Sequence, residues 1–422
     1  MTILQIASLL IVLAALFGSI NYFVLKLPQP IGILIVALLA SIATMALDMV
    51  VPGLGIADTL RRLVLGIDFS DALLEGMLGL LLFAGALHVK LESLREQAWT
   101  VLLMATMGVA LSVAVVGLGF SWLTGMPLIV ALVFGAIVSP TDPVAVLGVL
   151  RAANLRQSLE TKIAGESLFN DGVAYVVFLV LVGLAFPGGS AHGLHVEGDE
   201  STAVNAVLLF VREAFGGAAL GGLLGWLTFR VMRRIDDYSL EMLITLALAF
   251  GGYELAVWLK VSAPIMAVVS GLMIGDVGMK YGMTQRTRDY VNAFWTMVDE
   301  ILNAVLFLLI GIEVFAVAFQ LDGLWVAVAS IALALVARLV AVVIPVLLIH
   351  PFRNMDEGTI PIMTWGGLKG GISVALALSL PDGEWKPLIL TATYVIVVFS
   401  IIVQGLTIAP VARRLGREPD LV

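Results

Sequence analysis

Apolar stretches long enough to cross a lipid bilayer recur along almost the whole of this chain, and that recurrence constrains its fold more than any motif. Crossing the hydrocarbon core takes about 20 apolar residues in a helix. Hydrophobic residues make up 60% of the 422 and charged residues 13%, against about 45–50% and about 25% in a soluble domain. The chain reads as an all-α polytopic membrane protein, with no room for a sizeable soluble domain. It has no cysteine, which excludes disulfides, thiolate metal sites and cysteine nucleophiles.

Hydropathy places about thirteen transmembrane helices, at 3–25, 30–47, 70–88, 99–123, 128–150, 160–186, 203–229, 239–259, 262–276, 291–319, 323–349, 359–380 and 386–410. The first has no basic region before it and reads as a helix, not a cleaved signal. The segment from Gly55 to Gly66 reads as an interfacial helix or loop, and Gly188 to Ser201 as a long flexible loop. With the C-terminus cytoplasmic and the N-terminus outside, the inner loops collect Lys26, Lys90, Arg95, Arg151, Arg156, Lys162, Arg230, Arg233, Arg234, Lys280, Arg286, Arg288, Arg353, Arg413, Arg414 and Arg417. The outer segments hold Arg61, Arg62, Arg212, Lys260 and Lys386. That asymmetry follows the positive-inside rule. Arg338 and Lys369 are left inside expected spans.

Two spans cannot stay wound. Ser139-Pro140-Thr141-Asp142-Pro143 places two prolines around a charge in the fifth. Gly366-Gly367-Leu368-Lys369-Gly370-Gly371 interrupts the twelfth. The two would cross the membrane in opposite directions. Broken segments at matching places in two halves point to an inverted-repeat transporter with its binding site at the breaks.

The sixth span carries the densest polar cluster, Gly165-Glu166-Ser167-Leu168-Phe169-Asn170-Asp171-Gly172. A carboxylate at the centre of a membrane helix costs about 2.5–3.5 kcal/mol on insertion scales, so an intramembrane acid is by default a functional site. Ser167 and Asp171 are four apart and share a face, as do Glu166 and Asn170. Asp171, Asp142, Ser167 and Thr141 supply the oxygen ligands that hard cations take. Burial disfavours an ionised carboxylate, and competition between a proton and a cation for one such group is sufficient for exchange. The bland alternative is that these acids are paired helix glue.

Glu166 and Arg338 are expected to be partners, since a buried Arg needs a carboxylate. Lys369 is expected to balance the ends of the opposed half-helices, with a proton-linked role as the alternative. Asn303 is a polar core residue suited to bonding across helices, and Glu313 lies toward a membrane face. His192, His195, Glu197, Asp199 and Glu200 match no metal-site spacing. His88 and His350 sit at span ends and call for no special role. Gly216-Gly217 and Gly221-Gly222 read as close helix packing. No nucleotide or nucleic-acid motif occurs.

At Ser139 to Val146, Glu166 to Gly172, Phe307 to Gly311 and Gly366 to Ile372 the chain resembles the monovalent cation/proton antiporter superfamily, in its NhaP/NHE-like sodium/proton antiporter branch. The resemblance implies a fold of inverted repeats with two broken, crossing helices (the NhaA/NhaP-like antiporter fold). It implies a homodimer, a dimerisation part at 1–90 and 203–319, and a moving core at 99–186 and 323–410. Asp171 would be the ion- and proton-binding carboxylate. Asp142, Ser167 and Thr141 would be further sodium ligands, and Asn170 would stand in place of a second Asp, so that one cation exchanges for one proton. Glu166 with Arg338 would be the structural ion pair, and Asn303 a polar position near the core. Two positions depart from the pattern. Ala84 stands where many relatives carry an acid, and Lys369 where they carry Arg. No cofactor is implied beyond the transported ions.

The reading is thus an electroneutral sodium (or lithium)/proton antiporter of a bacterial-type plasma membrane, working by alternating access, and not an enzyme. A potassium/proton exchanger, a cation channel or ion sensor, and an intramembrane protease with an Asp142–Asp171 dyad are the alternatives.

Overall fold

The computed structural model describes residues 3–51, 72–143, 146, 156–186, 203–315, 324–350 and 358–415. Among them every regular element is helical. The first is α1 (Ile3–Ile20), which continues through a π turn at Asn21–Leu25. Next come α2 (Gln29–Val50), α3 (Leu78–Leu87, entered through a π turn at Ala72–Met77), α4 (Leu91–Thr124) and α5 (Leu128–Ile137). After the first break lie α6 (Gln157–Ala185), α7 (Ala203–Met232), α8 (Tyr238–Trp258), α9 (Ala263–Tyr281), α10 (Gln285–Ile312) and α11 (Leu324–Ile349). The short helices α12 (Thr359–Trp365) and α13 (Gly371–Leu378) flank the second break, and α14 (Lys386–Leu415) follows.

Nine helices among the described residues are long and apolar enough to cross a membrane. Several boundaries differ from those expected from hydropathy, among them three at polar helix ends. α4 starts at Leu91, because Leu91-Glu92-Ser93-Leu94-Arg95-Glu96-Gln97 is made of good helix formers and stays wound outside the apolar slab. α9 runs past Asp276 to Tyr281, with Asp276 and Lys280 paired one turn apart at 2.6 Å. α10 begins at Gln285, where the Thr284 hydroxyl caps it by accepting from the Thr287 N–H. Lys162, read as a loop residue, is buried in the second turn of α6. The segment from Gly55 to Gly66 and the loop carrying His192, His195, Glu197, Asp199 and Glu200 lie outside the described residues.

The packing falls into two neighbourhoods. α10 lies against α2 and α1, α7 against α9, and α9 against α3 and α8. Elsewhere α4 packs on α5 and α11, α6 on α5 and α4, and α14 on α11 and α13. α6 also touches α7 and α9, bridging the two.

Both breaks lie inside the second neighbourhood and meet. α5 ends at Ile137, and the backbone from Ser139 to Asp142 leaves the helical form. The Asp142 N–H donates to the Leu368 carbonyl at 2.8 Å, joining one break to the other. The glycines of the second break are needed for close approach. A Cβ on Gly370 would come within 2.5 Å of the Asp142 Cβ and Oδ2, and one on Gly367 would overlap the Arg338 guanidinium. Gly367→Ala and Gly370→Ala should therefore each destabilise the protein by about 1–3 kcal/mol through overpacking. Gly222→Ala, at a helical position with open space around it, should be neutral or slightly stabilising by helix propensity. Thermal unfolding of the three variants in detergent checks this.

Candidate functional site

Asp171 sits midway along α6, only 5% exposed, and its Oδ1 is buried with no hydrogen-bond partner among the described residues. An orphaned carboxylate oxygen at membrane depth is rare enough to demand a reason. The charges that bear on it are Asp142 and Lys369, one from each break, and the Thr141 N–H also faces it.

The residues around it are fixed by a short hydrogen-bond network. The Thr141 hydroxyl lies 2.9 Å from the Ser167 hydroxyl and accepts from Asn170 Nδ2 at 2.8 Å. The Thr141 N–H is 3.5 Å from Asn170 Oδ1. Ser167 and Asn170 thus clamp the first break onto α6. Thr141, Asp142 and Asp171 line the adjoining cavity, whereas Ser167 and Asn170 lie behind them.

Lys369 is buried at 5% exposure and reaches across to the first break, where its Nζ donates to the carbonyls of Ser139 (3.0 Å) and Pro140 (3.2 Å). These carbonyls lie just past the C-terminal end of α5, the negative pole of its dipole, so an ammonium is well placed there. The converse holds at the N-terminus of α13, the positive pole, where the Asp142 side chain lies over Gly370. Each break supplies the charge that the other's half-helix calls for.

Glu166 and Arg338 form a bidentate pair, Nη1 to Oε1 and Nη2 to Oε2 at 2.9 Å, both residues buried. Two further guanidinium donors go to the Met363 carbonyl, from Nε at 3.1 Å and Nη2 at 2.8 Å. The pair therefore ties α6 to α11 and to α12 just ahead of the second break. On α14 a π turn at Ser400–Gln404 completes the support. The Ser400 hydroxyl accepts from the Lys369 N–H at 2.9 Å and donates to Gln404 Oε1 at 2.7 Å. Gln404 Nε2 donates to the Trp365 carbonyl at 3.1 Å. Backbone groups freed by the glycine run are thus satisfied within the protein, as a bilayer requires.

A cavity of about 860 Å³ reaches from Gln29, Lys90 and Gln157 at helix ends down to Asp142 and Asp171. Its wall carries Glu160 of α6 and Thr296, Asp299, Glu300 and Asn303 of α10. Asn303 bonds within its own helix, donating to the Asp299 carbonyl at 2.7 Å and to Asp299 Oδ1 at 3.0 Å. Glu313 is buried at 4% exposure where α10 ends. Ala84 is fully buried in α3, and the acids of the cavity come from α6, α10 and the first break instead.

The sequence reading passed over Asp299 and Glu300. Both fall within the expected span 291–319, and the same default that marked Asp171 applies to them. Ser400 and Gln404 left no comparable signal, because single neutral polar residues are common in membrane helices.

Two crossed breaks bracketing a buried carboxylate at the foot of an acidic cavity define a secondary transporter of cations. Comparison with known proteins gives the same class. The model of the sodium/hydrogen exchanger transmembrane family matches residues 3–414. The chain is 44% identical over 425 residues to a Na(+)/H(+) antiporter NhaP of Pseudomonas aeruginosa, covering 98% of this chain and 97% of that one. It is 35% identical over 395 residues to a Na(+)/H(+) antiporter NhaH of Halobacillus dabanensis, covering 93% of each. Its fold is similar to that of the sodium proton antiporter MjNhaP1 of Methanocaldococcus jannaschii, with a TM-score of 0.74 at 19% identity over 98% of this chain and 99% of that one. The chain belongs to the sodium/hydrogen exchanger family.

The ion pair yields a test of its own. Glu166→Gln leaves a buried guanidinium without its carboxylate and should destabilise the protein by about 3–5 kcal/mol. Replacing both partners together, Glu166→Leu with Arg338→Met, should be less harmful than Glu166→Gln alone. Unfolding midpoints in detergent decide it.

Proposed function

We propose that this protein is an electroneutral sodium/proton antiporter in which Asp171 binds a sodium ion or a proton, never both. The buried Asp171 Oδ1 at the foot of the acidic cavity, without a hydrogen-bond partner among the described residues, is the observation that carries the reading. Thr141 and Asp142 are the residues best placed to add oxygens to a sodium ion held there. Ser167 and Asn170 act by holding Thr141 in position.

Charge counting explains the coupling. Glu166 and Arg338 cancel. Two carboxylates, Asp142 and Asp171, face one ammonium, Lys369, so these three groups together carry one negative charge in excess. One sodium ion or one proton removes it. Carrying an uncompensated charge through an apolar barrier is costly, so the loaded forms cross and the empty form does not. Either load leaves the same net charge, which makes the exchange insensitive to voltage.

The helices packed around the breaks, at 99–186 and 323–410, would move as the transporting core. The helices of 1–90 and 203–319 would form the scaffold and the contact of a homodimer. The cavity opens at the face bearing Lys90 and Arg156, which the Lys and Arg distribution assigns to the cytoplasm, with the C-terminus on that side. The names of the relatives favour sodium over potassium as the cargo.

Purified protein in sealed liposomes with an internal pH dye tests the proposal. Sodium or lithium pulses should move protons whether or not a valinomycin clamp sets the voltage, and choline should not. Asp171→Asn should lower the exchange at least about 100-fold while leaving the protein folded. Wild-type exchange in that variant, or a potassium-only response, would overturn the assignment.

A further inference from the structure

We propose that His88 is a second proton-binding group of the cavity, one that controls the entry of the cation and is not itself carried across. The proposal rests on the antiporter reading only in taking the cavity as the cation's path. His88 caps the C-terminal end of α3, is exposed, and lines the cavity.

The hydrogen bonds of its ring carry the argument. Nδ1 lies 2.7 Å from the Ala84 carbonyl, which accepts only, so Nδ1 bears a proton. Nε2 lies 3.0 Å from the Thr296 hydroxyl. That hydroxyl has one hydrogen, and its geometry also suits donation to the Asn292 carbonyl at 2.8 Å. With the Thr296 hydrogen on Asn292, Nε2 must donate, and the ring is an imidazolium. With a neutral ring, the Thr296 hydrogen must swing to Nε2 and leave Asn292. The contact therefore accepts both protonation states, and a single hydroxyl rotation separates them. Imidazole is the side chain whose charge changes between about pH 5 and pH 8.

The charges around it give this proton a consequence. Lys90 follows His88 on its own turn, while Asp299 and Glu300 of α10 and Glu160 of α6 share the cavity wall. On α9, Asp276 is paired with Lys280, and Glu92 of α4 bears on that lysine. A protonated His88 offsets part of the negative field that concentrates cations in the cavity, and a neutral His88 restores it. Sodium access would thus weaken in acid, before any competition at Asp171.

The test measures the apparent KM for sodium in everted membrane vesicles from about pH 6 to about pH 8.5. Wild-type KM should rise as the pH falls. His88→Gln, which keeps a donor and an acceptor but no charge, should match wild type at the alkaline end. It should lose about threefold or more of the rise in acid. His88→Lys should keep a raised KM at alkaline pH. A Gln variant with the wild-type pH dependence, or a Lys variant equal to wild type in alkali, would overturn the proposal. The chain has four histidines, so the signal missing from His88→Gln identifies His88 in the NMR spectrum of histidine-labelled protein. That signal should titrate between about pH 5 and pH 8, and one that does not would equally defeat the idea. This second readout needs no transport, so it judges His88 even if the exchange assay fails.

Discussion

The helices packed around the two breaks depend on how two interrupted helices satisfy each other in a medium without water. A break in a membrane helix frees backbone donors and acceptors, and each one left unpaired in hydrocarbon costs several kcal/mol. Here one break answers the other. The Asp142 N–H donates to the Leu368 carbonyl, and the Lys369 ammonium covers the carbonyls of Ser139 and Pro140. Side chains of neighbouring helices take further carbonyls, Arg338 that of Met363 and Gln404 that of Trp365. The crossing is a closed arrangement, so neither break can shift without disturbing the other.

That arrangement decides the chemistry. The ammonium holds the two breaks together, and one carboxylate, Asp142, lies over the N-terminus of α13. Asp171 keeps an oxygen that no group among the described residues takes. On the proposed reading Asp142, Asp171 and Lys369 are together short of one positive charge, which a sodium ion or a proton supplies. Selectivity against the empty form needs no moving gate in this picture. It follows from the energy of carrying the excess charge through an apolar surrounding. On the same reading the acids along α6 and α10, which line the cavity, draw cations toward the site.

Most of the architecture was legible in the sequence because the bilayer leaves so few options. The prolines at 140 and 143 and the glycines at 366, 367, 370 and 371 marked both breaks, and the lone Arg338 in an apolar run called for Glu166. Hydropathy placed the helix ends less well, since α4 and α10 continue as charged turns past the apolar slab, where it reads only loss of apolarity. The tally of loop charges counted Lys162, although it falls within the expected span 160–186 and is buried in α6. Which residues face the cavity was not legible. Ser167 and Asp171 share a helical face by spacing, yet Ser167 turns to the Thr141 hydroxyl and Asp171 to the cavity. Asn303 carried a signal of polarity but not of direction, and its partner Asp299 lies one turn away on the same helix. Such choices depend on neighbours far apart in the chain, which spacing within one helix does not encode.

The central claim is that sodium and a proton compete for Asp171. It is tested most directly by counting protons released as sodium binds to purified protein in a weakly buffered detergent solution. The account requires release of a proton for each sodium bound at acidic pH, fading as the pH rises, and none from Asp171→Asn. Sodium binding that releases no proton at any pH, or release that persists in Asp171→Asn, would contradict it.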